Sequence, residues 1–375
     1  MTTASAADTG EDTPDLAALT ARRRTIVCCG SGGVGKTTTA AVVAMEAARL
    51  GRKAMVVTID PAKRLADALG LARLSNLPSR IDGEWRGELW AMMLDTKSTF
   101  DALVVKHAAS TEQAERILAN RFYLNISGAL SGTQEYMAME KLYELHEETD
   151  FDLVVVDTPP TRHALDFLDA PRRLSRFLEH RLFRVLISPS SGIVRAVNVA
   201  AQTFLRTVAK VVGSDVIDDA VAFFRAFEGM EEGFRQRALR VNALLAAPET
   251  AFLLVASPRR DTLNEAHFFA RRLAEAGISV DGLVVNRVHP LFGAGLAEAA
   301  RERSETLAGT GLATLYANLA DFQSIATRER DHLAGMAEAV APAPVVWVPF
   351  LGRDVHDLDG MTEIAGHLYG TTPQP

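Results

Sequence analysis

The sequence predicts an α/β fold: a mostly parallel sheet with helices on both faces and an inserted helical subdomain. Three observations carry that prediction. Short, solidly apolar runs recur along the chain, the pattern of strands buried on both faces. Long helical patterns separate most of these runs, which calls for crossover connections and parallel pairing. Two stretches break the alternation with successive helical patterns and no strand between them.

Residues 1–20 are poor in bulky apolar side chains and read as a disordered tail, and residues 21–372 as one domain. The first apolar run is Thr25–Cys29. A Gly-rich turn follows it, and then Thr38–Leu50, whose alanines, valines, Met45 and Leu50 suit a well-packed helix. Further strands are expected at Ala54–Ile59, Leu89–Leu94, Leu153–Val156, Phe252–Ala256, Gly282–Val285 and Val345–Val348, with helices such as Thr133–Glu147 and Asp261–Gly277 between them. Residues 95–130 and 171–245 supply the helical subdomain. In the second stretch Val197, Ala200, Phe204, Leu205, Val208 and Val212 keep helical spacing, and Val221, Phe224, Phe227 and Phe234 continue the apolar face. Those faces either pack on one another and on the sheet or leave surface for a partner.

Composition narrows the classes. With 375 residues, 48% of them hydrophobic, the chain can bury a large core. A net charge of −7 and a pI near 5.8 argue against a nucleic-acid partner. Cys28 and Cys29 are the only cysteines. Adjacent in a strand, they point to opposite faces and read as core packing. Without a C-x-x-C pair, neither a structural zinc nor a cysteine-bound cluster is supported within one chain. Met1–Asp15 lacks the basic start and apolar stretch of a signal peptide, and no apolar run approaches a membrane span. The expected location is the cytoplasm, with at most peripheral membrane contact. Arg172, Arg173, Arg176, Arg181 and Arg184, interleaved with Leu174, Phe177, Leu178, Leu182 and Phe183, form either a solvated face or a contact for anionic lipid or an acidic partner.

The chemistry concentrates after the first strand. Gly30-Ser31-Gly32-Gly33-Val34-Gly35-Lys36-Thr37 fits GxxxxGK[ST] between a strand and a helix, the context of a phosphate-binding loop. Its glycines let successive backbone N–H groups turn inward onto phosphates, and the helix start that follows, with Thr38, adds its positive dipole end. In that reading Lys36 reaches the β- and γ-phosphates and the Thr37 hydroxyl ligates Mg²⁺. The fold class is then a P-loop NTPase sheet. Asp60, held at a strand end by Pro61, either orients a water against the γ-phosphate or caps a helix beginning at Arg64. Asp157 ends another strand and either holds Mg²⁺ or its water, or caps a loop. Asn286 follows a late strand in Asn286-Arg287-Val288-His289, which lacks the acid of a guanine-reading Asn-Lys-x-Asp. Asn286 therefore either bonds the adenine edge or closes the strand end, and ATP is favoured over GTP.

Taken in order, the loop, Asp60-Pro61-Ala62 and Asp157-Thr158-Pro159-Pro160-Thr161 resemble the arsenical-pump-driving and tail-anchored-protein-targeting (guided-entry) ATPase family. The spacing agrees from residue 25 onward and includes Asn286 and the Pro349 segment. The resemblance implies a dimeric ATPase in which Asp60 orients the attacking water and Asn286 and Pro349 join the nucleotide site. It further implies that nucleotide state opens and closes the helical subdomains, and that the partner is a membrane-protein client or a membrane transporter. Two departures stand out. Family members usually carry a lysine at the position of Ser31, reaching across the dimer to the partner's phosphates, and serine is short and uncharged. Lys63, Arg64 or Arg162 substitutes for it, or a paralogous subunit supplies it, or hydrolysis is weaker. The zinc C-x-x-C of the eukaryotic targeting factors and the arsenite-binding cysteines are also missing. A weakly active or regulatory subunit of a heterodimer is thus a second reading. A partition or division-site ATPase is a third, though it wants the lysine and a basic surface or a C-terminal membrane helix.

Overall fold

The computed structural model describes residues 15–59, 64–126, 133–159, 214–293, 296–355 and 357–370. Its centre is an eight-stranded sheet in the order β3-β4-β2-β5-β1-β6-β7-β8. The strands are β1 (Thr25–Gly30), β2 (Lys53–Thr58), β3 (Ser79–Ile81), β4 (Glu88–Met93), β5 (Leu153–Asp157), β6 (Thr250–Ala256), β7 (Gly282–Val288) and β8 (Val345–Pro349). All neighbours pair in parallel except the edge pair β3 and β4. Seven strands coincide with the expected apolar runs to within two or three residues at their ends. β3 was not expected: it is three residues long and buries only Ile81.

Period-2 alternation explains the layering. Ile26, Cys28, Val56, Val155, Leu253 and Val255 face one core, with helices Leu16–Arg22, Lys36–Arg49 and Leu358–Leu368 over them. Val27, Cys29, Val57, Val156, Phe252 and Leu254 face the other, covered by Thr133–Glu147, Glu231–Leu245, Arg260–Glu275 and Gly311–Val340. Cys28 and Cys29 thus lie in opposite layers, as their adjacency requires. The helix Lys36–Arg49 is buried along almost its whole length. Its alanines allow that close approach, since they lose no side-chain entropy and fill little volume.

The tail reading needs a correction at its inner end. Leu16–Arg22 is a helix whose N-cap Asp15 accepts from Ala18 N, with Leu16 and Leu19 buried against the first core. Two leucines at i and i+3, with a cap, outweigh the polar composition around them. A third core lies among helices Thr96–His107, Thr111–Leu118, Arg121–Ile126, Ser214–Ala226 and Glu231–Leu245, with Leu103, Ile117, Tyr123, Phe223, Phe227 and Phe234 at its heart. The aromatic residues pack in a chain, with Phe223–Phe227 and Phe227–Phe234 centroids each 5.2 Å apart. Asp60, Lys63, Arg162, the arginine-rich stretch from Arg172 and the apolar face from Val197 to Val212 lie outside the described residues. Among the described residues no helix is long and apolar enough to cross a membrane.

Candidate nucleotide site

The strand order places β5 between β1 and β2, so the loop after β1 opens beside the carboxyl ends of both neighbours. Ligands in such sheets collect at that edge. The loop is built for close approach. Gly30, Gly33 and Gly35 have φ of 150°, 78° and 99°. A Cβ at Gly30 would overlap the Val255 carbonyl, and one at Gly35 would overlap the Asn286 amide. Val34 is buried in the first core and anchors the loop, while Gly32 and Gly33 form its exposed tip. The helix after it starts at Lys36 behind a left-handed Gly35, with no side chain capping its first N–H groups. Those donors and the dipole end suit an anion.

Lys36 is 5% exposed, and its Nζ donates to the Ser31 carbonyl at 2.8 Å. The Thr37 hydroxyl donates to Asp157 Oδ2 at 2.7 Å. Asp157 is 1% exposed at the end of β5, paired in register with Cys28 of β1 and Thr58 of β2. Thr58 Oγ1 donates to the same Asp157 Oδ2 at 2.8 Å. Thr158 Oγ1 in turn donates to the Cys28 carbonyl at 2.7 Å, tying the chain after β5 to β1. The charges register on the thiols nearby. Burial, with Asp157 next, pushes the Cys28 thiol well above its ordinary value, while burial drives Cys29 up to about 12 against the pull of Lys36. Both cysteines are therefore protonated at neutral pH and unsuited to nucleophilic or redox work.

On the far side, Asn286 Nδ2 donates to the Val34 carbonyl at 2.9 Å, and Asn286 Oδ1 accepts from Arg287 N at 2.9 Å. Arg287 takes a left-handed φ of 63° where β7 and β8 slip register between Asn286 and Val288. Pro349 pairs with Val288 there, at the end of β8. Lys36, Thr37, Asp157 and Asn286 are thus brought together around one loop, and Pro349 lies two residues along from Asn286. Thr38 lies half-buried in the first helical turn.

A family model for anion-transporting ATPases matches residues 23–294, the span that holds the loop, Asp157 and Asn286. The chain belongs to that family. Among relatives of this ATPase, it is 27% identical to the ATPase GET3 of Malassezia globosa over 70% of this chain and 72% of that one. It is 22% identical to the putative arsenical pump-driving ATPase 1 of Aquifex aeolicus, over 93% of this chain and 80% of that one. With the ATPase ASNA1 homolog of Dictyostelium discoideum it shares 26% identity over 69% and 70%.

Two contacts of this ATPase were not expected from its sequence. Thr58 is the hydroxyl that closes an otherwise apolar buried strand, and a polar side chain in that place is the signal that marks it. Asn286 grips the loop backbone itself, so its amide already holds one donor and one acceptor bond. Among the described residues, one N–H and one lone pair of that amide are left without a partner.

Proposed function

We propose that this chain is a magnesium-dependent ATPase working as a dimeric nucleotide switch, which handles a membrane-protein client or energises a membrane transporter. The observation that carries the reading is the convergence of Lys36, Thr37 and Asp157 on one Gly-rich loop. In this reading the backbone of Gly30 to Thr38 cradles the phosphates, and the Lys36 ammonium exchanges the Ser31 carbonyl for the β- and γ-phosphates. Thr37 and Asp157 offer hard oxygen donors 2.7 Å apart, a set that fits Mg²⁺. When bound, the ion neutralises charge on the transferring phosphoryl group. Asp60 orients the attacking water and accepts its proton. Asn286 and Pro349 bound the adenine.

The dimer reading is supported by apolar surface next to this edge. Leu291, Phe292, Phe322 and Phe350 are exposed there, with the His289 ring stacked on Phe350 at 5.7 Å. The partner is a second copy or a paralogue. An arsenical pump-driving ATPase among the relatives supports the transporter branch, and the resemblance of the three motifs to the tail-anchored-protein-targeting ATPases supports the client branch. The proposed location is the cytoplasm.

Asp60→Asn tests the mechanism. An amide cannot take the water's proton, so ATP still binds with parental affinity while turnover falls by about 10²-fold or more. Equal turnover in variant and parent leaves Asp60 as a helix cap only. A second reading, a weakly active subunit regulating a paralogue, is favoured by Ser31, which brings no cation to the site.

A further inference from the structure

We propose that Thr58 is a positioning residue for the magnesium-side carboxylate, holding Asp157 in place for the ion; this inference rests on the ATPase reading above. Two hydroxyls donate to Asp157 Oδ2, Thr37 at 2.7 Å and Thr58 at 2.8 Å. They are not equivalent. Thr37 is half-buried at the helix start, and its oxygen is the one a metal would claim. Thr58 is 1% exposed within β2, opposite Asp157 in the parallel register, so the sheet fixes its donation.

Backbone hydrogen bonds brace both partners of that contact. Leu94 N donates to the Thr58 carbonyl at 2.9 Å, and Ile59 N donates to the Asp157 carbonyl at 3.2 Å. The same strand end leads directly into Asp60. Thr58 therefore joins, through one hydroxyl, the strand that precedes Asp60 in the sequence to the strand that ends in Asp157. A β-branched side chain with restricted χ1 suits that task, because it points its hydroxyl with little entropy to lose. Partners that orient a metal's ligands commonly matter 10–100-fold in metal affinity.

The test uses full-length protein, a fluorescent ATP analogue and titrated Mg²⁺. Thr58→Val keeps the shape and removes the donor; Thr58→Ala removes it without the methyl packing of valine; Thr58→Ser keeps it. In EDTA all four proteins bind the analogue alike, since Lys36 and the loop are untouched. The Mg²⁺ midpoint rises about 10- to 100-fold in Thr58→Val and Thr58→Ala, and stays within about threefold of the parent in Thr58→Ser. A parental midpoint in either the valine or the alanine variant overturns the role of Thr58. So does a serine variant as impaired as they are, because the hydroxyl is then not what counts. A parent that binds no analogue in any condition overturns the ATPase site itself, a different failure.

Discussion

Ser31 occupies the loop position where the family resemblance calls for a second cation besides Lys36, one that reaches across a dimer. Its side chain is 5% exposed, its Oγ has no hydrogen-bond partner among the described residues, and its carbonyl takes the Lys36 ammonium. The residue thus contributes backbone to the loop and no charge. In ATPases that deliver a cation in trans to the transferring phosphoryl group, the donor is worth about 10³–10⁵ in rate for arginine fingers. In the dimer proposed above, Ser31→Lys should therefore raise turnover by roughly tenfold or more, a gain smaller than that of an arginine finger. Steady-state phosphate release checks it. Turnover unchanged or lower, with nucleotide affinity retained, means that another cation already acts or that none is needed. The loop and Asp157 were legible because their residues are contiguous or end an apolar run. Thr58 on Asp157 and Asn286 on Val34 were not, because strand register alone brings residues 99 and 252 positions apart into contact.

The element that links the sheet to the third core is the pair of helices Thr133–Glu147 and Glu231–Leu245. Arg237 on the second donates through Nε to Glu140 on the first, with the two side chains 7% and 3% exposed. Its Nη1 reaches Glu148 at 3.1 Å, and its guanidinium lies 4.0 Å from the Tyr143 ring centroid. Burial holds the Glu140 carboxyl above its usual range even against the pull of Arg237. The pair is therefore specific rather than cheap: its Coulombic gain is set against the cost of removing two ions from water. Arg237→Ala strands a buried carboxylate and should cost about 3–5 kcal/mol. The double variant Arg237→Met with Glu140→Met should recover most of that loss. Chemical denaturation measures both, and a single-variant loss below about 1 kcal/mol, the scale of an exposed pair, contradicts the account. At this scale the helical patterns were readable from spacing. The partnership of Glu140 with Arg237 was not, since nothing in a helix's own period says which buried charge faces it.

For the whole molecule, topology does what no single motif can. A sheet ordered with β5 between β1 and β2 gathers the phosphate loop, Asp157 and the strand leading to Asp60 at one edge, and β7 brings Asn286 against the loop from the other side. The apolar runs announced seven of these strands because both faces of each are covered. The short edge strand β3, with one buried residue, carried too little pattern to be seen. In the function proposed above, every later step depends on nucleotide being held at that edge. Titrating Mg·ATP into parent and Lys36→Ala by calorimetry tests this most directly. The account predicts saturable binding in the parent, one nucleotide per chain, and a loss of about 100-fold or more in the variant, because the buried ammonium facing the β- and γ-phosphates is gone. Equal affinity in the two proteins would show that the loop is not where nucleotide binds.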